Sequence, residues 1–278
     1  MLECVMNISE GRDQQLLSQL RVSAGSSLLD VHSDEFHHRS VFTLAGADVI
    51  DDALSLAGMA VELIDLNRHS GVHPRLGVVD VVPFVPLGVE GLHYPLELDE
   101  AVAARQTFGE LFSKRFEVPC FFYGSTRSLP EVRRTAFDPL KPDLGPQLPH
   151  PTAGACCVGA RGVLVAYNVN ISAVDLTTTR SIAMAVRSEQ VRSLGLALGE
   201  AFQVSCNLID PWSSGIEAAY DSIASEVNRR GGTVLNAELV GLVPEAILHR
   251  VHRSRWTTLG LTDRSSIESR LGSSSNEN

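Results

Sequence analysis

Three consecutive residues, His73-Pro74-Arg75, carry the clearest chemistry in the chain. Imidazole can take and give a proton near neutral pH. Pro74 lacks a backbone donor and has a fixed φ, so it holds its neighbours in one shape. Gly71 and Gly77 permit sharp turns on both sides. Such a loop positions a histidine and an arginine; it does not fill a core. Two readings of His73 are open at this level: an acid–base catalyst, or a loop histidine bonded to backbone. Arg75 and Arg39 present guanidinium forks that match a carboxylate in two parallel bonds. Equally, each can pair inside the fold, with Asp80 or Asp34. Asp80 can orient His73 as a carboxylate orients a base; the preferred reading is a polar residue on a half-exposed strand.

Other constellations are weaker. His32, His37 and His38 lie near Asp34, but their spacing matches no standard zinc pattern, and no metal is expected. Gly25-Ser26-Ser27 is no nucleophile elbow. Gly159-Ala-Arg-Gly162 is neither a P-loop nor a dinucleotide fingerprint. The five cysteines, 4, 120, 156, 157 and 206, include no C-x-x-C pair and read as buried thiols of a cytoplasmic protein.

The elements that must position these residues alternate between strand and helix. Leu2–Ile8 reads as a strand, Asp13–Ser23 as a helix, and Ser27–Val31 and Ser40–Leu44 as strands flanking the histidine-rich loop. Asp48–Asn67 is the clearest helix, with Ile50, Leu54, Ala57, Val61 and Ile64 on one side. Val78–Val85, Leu98–Phe116 and Pro119–Tyr123 follow as strand, helix and strand. Five prolines between Pro139 and Pro151 then mark an extended linker or a substrate-lining loop. Regular structure resumes at the strand Gly162–Ile171. Next come the helix Asp175–Arg187, strands Leu194–Ala201 and Gln203–Ile209, the helix Ser213–Arg230 and the strand Thr233–Leu239. Pro244–Arg253 and Asp263–Leu271 close the chain as short helices. Both halves open with a strand running into Asn-Ile-Ser, at Asn7–Ser9 and Asn170–Ser172, which fits two similar subdomains. At these strand ends Asn7 and Asn170 either offer amide contacts to a ligand or cap a turn.

The 278 residues, 44% hydrophobic, suffice for one large domain or two modest ones. Net charge is −10, which argues against nucleic-acid or anionic-membrane partners. An anionic substrate must therefore be held by local arginines, and arginine supplies 21 of the 23 basic residues. No basic leader and no apolar run near the roughly 18 residues of a membrane helix is seen.

The opening Glu3-Cys-Val-Met-Asn7-Ile-Ser-Glu-Gly11-Arg12 resembles the start of glutamate formiminotransferase. So do Gly71-Val-His73-Pro-Arg75-Leu-Gly77-Val-Val-Asp80 and Val118-Pro-Cys-Phe-Phe-Tyr-Gly124. The likeness continues through Pro142–Pro146, His150–Ala155 and Val158–Arg161, then Leu164–Asn170, Gln203–Ile209 and Glu238–Pro244. The segments are in family order across most of residues 2–250.

The resemblance implies an α/β (α+β) fold of two similar subdomains, each a mixed β-sheet with helices packed on one face. It places a folate cleft between them and implies a homodimer. The expected division is 1–145, 146–271 and a disordered polar tail, 272–278. The implied reaction moves a formimino group between tetrahydrofolate, as co-substrate, and glutamate. His73 is implied as its acid–base group. Gly145, Pro146, Gln147, Leu148, Pro149, His150, Pro151, Thr152, Ala153 and Gly154 map onto the folate-contacting loop. There the prolines stiffen the segment, Gly145 and Gly154 let a flat heterocycle approach, and His150 can bond folate or carry a second proton. Arg39, Arg75 and Arg161 are candidates for holding substrate carboxylates, and Asn7 for an amide contact. Some family members continue into a cyclodeaminase domain; this chain is expected not to carry that activity. Three departures point to the second substrate: His38 where the family usually shows Asn, His32 where many members are acidic, and a shorter stretch between Gly124 and Asp143. They leave open formyl or formimino transfer between the folate and a different amino compound; a folate-binding module without catalysis is a further alternative.

Overall fold

The computed structural model describes residues 1–72, 74–88 and 98–274. The chain forms two compact units, Met1–Gly162 and Val163–Asn278.

The first unit opens on β1 (Leu2–Ile8), whose alternate residues Leu2, Cys4, Met6 and Ile8 are all buried. Asp13 caps α1 (Gln14–Ser23), accepting the N–H groups of Gln15 and Leu16 at 2.9 and 3.0 Å. The hairpin β2 (Leu28–Asp34) and β3 (Arg39–Ala45) leads into α2 (Val49–Leu63). Then come β4 (Val79–Pro86), α3 (Asp99–Phe116), β5 (Cys120–Tyr123), α4 (Leu129–Thr135) and β6 (Cys156–Ala160). The sheet order is β2-β3-β1-β4-β6-β5. β1 runs antiparallel to β3 and β4, whereas β6 is parallel to β4 and β5. Leu17, Leu20, Leu56, Ala57, Phe108 and Phe112 of α1–α3 pack on one face. Val132 of α4 packs on the other, with Val81, Phe121, Tyr123 and Cys157.

The second unit holds β7 (Val165–Ser172), α5 (Leu176–Ala185), β8 (Val191–Leu198), β9 (Ala201–Leu208) and α6 (Ile216–Arg229). β10 (Thr233–Val240), α7 (Glu245–Leu248) and α8 (Ile267–Ser274) complete it. The sheet order is β10-β7-β9-β8. Buried Tyr167, Val169, Ile171, Val204 and Cys206 face α5 and α6. Strand alternation turns Asn168, Asn170, Gln203, Asn236 and Glu238 to the opposite face.

Two units, each with its own sheet and helices, are the expected architecture. The first sheet is mixed, but the second is antiparallel throughout, and α4 breaks the rule of helices on one face. Two elements of the first unit, α4 and β6, were not expected from the sequence. The expected helix to Asn67 stops at Leu63. There Asp65 takes the amide of Asn67 at 3.0 Å, while Leu66 donates to the Thr152 carbonyl at 2.8 Å. A short polar side chain that bonds nearby backbone competes with helix continuation. α8 runs into the expected disordered tail as far as Ser274; residues 275–278 lie outside the described residues.

Candidate active site

The strands bring several loops together at one end of the first sheet. Ile8 pairs with both Ser40 and Val79, and Asp34 pairs with Arg39. Between β1 and α1, Glu10 is 8% exposed. One of its oxygens accepts the backbone N–H groups of Gly11, Arg12 and Asp13 at 2.8, 2.7 and 2.9 Å. Burial works against its charge, but these bonds and His38 outweigh burial and hold its pKa below the ordinary value.

At the β2–β3 turn, Asp34 accepts the His37 amide at 2.7 Å, and His38 takes a left-handed φ of 49°. The His38 ring sits with Nδ1 2.9 Å from the Ser70 carbonyl and Nε2 3.1 Å from Glu10 Oε1. It stacks on His69 with centroids 3.8 Å apart. His69 Nε2 lies 3.0 Å from the His38 carbonyl, and Nδ1 lies 2.7 Å from a terminal nitrogen of Arg75. The same terminal nitrogen also lies 2.8 Å from Nε2, so Arg75 approaches both ring nitrogens of His69. Burial, helped by Arg75 and His38, lowers its pKa to about 4. Arg75 also donates to the carbonyls of His38 and His37 at 3.1 and 2.9 Å.

His73 lies outside the described residues, but the chain on both sides of it is fixed. Asp80 is 1% exposed, not half-exposed as expected. Its Oδ1 accepts the Leu76 N–H at 2.7 Å, and its Oδ2 meets Arg133 at 2.5 Å. The other terminal nitrogen of Arg133 donates to the Pro74 carbonyl at 2.7 Å. Gly71 and Gly77 do not turn the chain through positive φ. Instead, a Cβ on Gly77 would lie 2.2 Å from the Ala155 carbonyl oxygen, so Gly77 is there for close approach.

The segment Gly145–Gly154 divides in two. Pro146–Pro149 is exposed, with Leu148 at 75%. Residues 150–154 are pinned: Leu66 bonds Thr152, and Val78 bonds Ala153 at 2.9 Å. His150 Nδ1 accepts the amides of Thr152 and Ala153 at 3.3 and 3.0 Å, closing its own turn. The space beside both glycines is filled by protein. A Cβ would meet Ser113 Oγ at 2.5 Å from Gly145 and the Leu76 carbonyl oxygen at 2.3 Å from Gly154.

Arg39 is half-buried among Asp80, Arg133, Arg75 and Asp34, and burial lowers its pKa to about 10. Arg161 is elsewhere: its amide bonds the Phe84 carbonyl at 3.1 Å, beyond the far end of β6. The five steps from Val79 to Phe84 span about 17 Å of strand, so Arg161 does not join Arg39 and Arg75. Asn7 sits inside β1, paired with Val41 and Val81 and with a long 3.4 Å bond to its own strand. Asn170 caps no turn; it bridges Gln203 and Asn236 at 3.0 and 2.7 Å.

Residues 1–161 match the formiminotransferase domain, N-terminal subdomain, and the match ends beside the boundary of the first unit. The chain belongs to the formiminotransferase family. It is 33% identical to the glutamate formimidoyltransferase of Streptococcus pyogenes, covering 89% of this chain and 90% of that one. It is 30% identical to the glutamate formimidoyltransferase of Thermoplasma acidophilum over 99% of both. The formimidoyltransferase-cyclodeaminase of Gallus gallus is 34% identical, and there the aligned region is half the relative's length. The left-handed backbone at His38 is one that Asn adopts readily and His tolerates.

Sequence reasoning missed four members of the loop end: Glu10, Arg12, His69 and Arg133. Arg12 is exposed; its Nε donates to the Glu35 carbonyl at 2.8 Å, and its terminal nitrogens have no partner among the described residues. Its charge is felt at Arg75. The motif Ser-Glu-Gly-Arg, whose glutamate is followed by three amides it can bind, was the available signal.

Proposed function

We propose that this chain moves a formimino group between N-formimino-L-glutamate and tetrahydrofolate, with His73 as the acid–base group. The observation that carries this is the end-to-end match to relatives named glutamate formimidoyltransferase.

The chemistry asks for one proton carrier. N5 of the folate attacks the amidine carbon, and the carbon becomes tetrahedral. N5 must lose its proton, and the glutamate nitrogen must gain one before its bond to carbon breaks. An imidazole can take the first and give the second, an aid worth about 10²–10⁴-fold. The fixed chain on both sides of residue 73 supports this role for His73. The exposed stretch Pro146–Pro149 supports the reading of residues 145–154 as the folate-contacting loop. Substrate carboxylates need cationic partners. Arg75 and Arg39 contribute charge, but Arg75 is engaged with backbone carbonyls. Arg12, with its terminal nitrogens unpartnered among the described residues, is the better candidate for direct contact. Arg161 and Asn7 keep lesser roles in this reading, outside the charged cluster. A homodimer in the cytoplasm completes it; five buried, unpaired thiols suit a reducing compartment.

The test is formimino transfer from formiminoglutamate to tetrahydrofolate, followed by conversion of the product to methenyl-folate. Wild-type turnover is expected, with a loss of about 10²–10⁴-fold in His73→Ala. A wild-type protein that binds folate but turns over only another amino compound would overturn the choice of glutamate.

A further inference from the structure

The geometry points to Arg133 as a positioning residue that, with Asp80, fixes the chain following residue 73 for proton transfer. The inference rests on the reading of His73 as the acid–base group. Its evidence is separate from that reading. Pro74 and Leu76 offer a carbonyl and an amide, and both are bound. Arg133 takes the Pro74 carbonyl at 2.7 Å, and Asp80 takes the Leu76 amide at 2.7 Å. The two clamping side chains hold each other at 2.5 Å, with Asp80 buried and Arg133 only 18% exposed. One guanidinium therefore spans a loop carbonyl and a strand carboxylate. This uses the fixed fork of arginine; a lysine ammonium is a point charge on a flexible stem and does not reproduce it.

The arrangement has a directional logic. Asp80 is the second residue of β4, and Val79 and Val81 on either side of it pair with β1. Arg133 stands on α4, whose Val132 is seated in the core beside Val81 and Phe121. The loop is thus referenced to two rigid elements at once. Misplacing a reacting group by about 1 Å can cost on the order of 10²-fold in rate. Proton transfer should feel the loss of this reference more than substrate binding does.

Arg133→Lys in the full-length protein is the first variant. We expect kcat to fall about 10- to 100-fold, while KM for both substrates stays within about twofold. Added guanidinium should restore part of kcat in Arg133→Gly and none in His73→Ala. A folded Arg133→Lys with wild-type kcat would overturn the proposal. Hydrogen exchange on the wild type supplies a reading that needs no variant to fold. The Leu76 amide should be protected, and an unprotected Leu76 would sink the clamp. The two ideas fail differently. Full activity in His73→Ala removes the acid–base reading; its loss there with normal kcat in Arg133→Lys removes the clamp alone.

Discussion

At the loop end of the first sheet, polarity comes from full charges: Glu10, Asp34 and Asp80 against Arg12, Arg39, Arg75 and Arg133. On the face of the second sheet opposite α5 and α6 it comes mainly from amides. There Asn168 and Gln203 donate to Glu238 at 3.0 and 3.3 Å, and Asn170 links Gln203 to Asn236. The charged end can hold carboxylates inside a protein of net charge −10, because it gathers four arginines in one place. It requires each charge to be tied to backbone, since an unpaired buried charge costs several kcal/mol. The amide ladder surrounds a single carboxylate, Glu238, which two buried amides hold. On the proposed reading, proton handling belongs at the first region.

The largest stability effect expected at the charged end comes from Gly154→Ala. Residue 154 has φ 70°, and its Cβ would lie 2.3 Å from the Leu76 carbonyl oxygen. We expect a loss of about 2–4 kcal/mol in chemical denaturation. Gly260→Ala makes a matched probe in the second unit, with φ 68° and the Ala237 carbonyl oxygen at 2.2 Å. Both should destabilise. Only Gly154→Ala should also raise KM for folate, assayed well below its unfolding midpoint. An equal effect on KM from Gly260→Ala would erase the distinction drawn between the regions.

A smaller effect tests whether charge at the first region reads the substrate. Arg12→Ala should raise KM for formiminoglutamate about tenfold, equivalent to about 1.4 kcal/mol, and leave the unfolding midpoint unchanged. Arg229→Ala, at another exposed arginine, one of the second unit paired with Glu226, should change neither. If Arg12→Ala has wild-type KM, the carboxylates are bound elsewhere.

Much of this organisation was legible in the residues. β1, α1 and the hairpin follow from alternation, an Asp cap and turn chemistry. β6 was hidden by the prolines before it, although Ala155-Cys-Cys-Val-Gly-Ala160 has the continuous apolar texture of a strand between parallel neighbours. α4 is only seven residues; its Ser128 cap with Glu131 three residues on was the usable signal. Arg133 could not be found without it, because the contacts of that arginine lie 53 and 59 residues away. Asp80 was misjudged for a related reason: alternation along β4 says which side a residue takes, not what covers it. The glycines at 145 and 154 looked like room for a ligand, and the neighbouring chain fills that room.

Acid should separate the two regions by the smallest of these effects. His69 has a folded-state pKa of about 4, below its unfolded value near 6.5. Between those values the unfolded chain binds more protons, so stability falls as pH drops from about 6.5 to 4. Glu10 has a lowered pKa, so its contribution is lost only at lower pH, as its carboxyl protonates. His69 is half-exposed, and solvent screening reduces its share to about 1–2 kcal/mol. The lowered aspartates of the second unit, Asp175, Asp210 and Asp221, protonate below this window. Hydrogen exchange at pH 6.5 and 4.5, corrected for intrinsic rates, should therefore show protection lost first in peptides spanning 34–45 and 66–72. Peptides spanning 165–172 and 233–240 should hold, and His69→Gln should flatten the difference. If the amide ladder loosens first, titration is not what distinguishes the charged end, and its fixed geometry alone must account for its role.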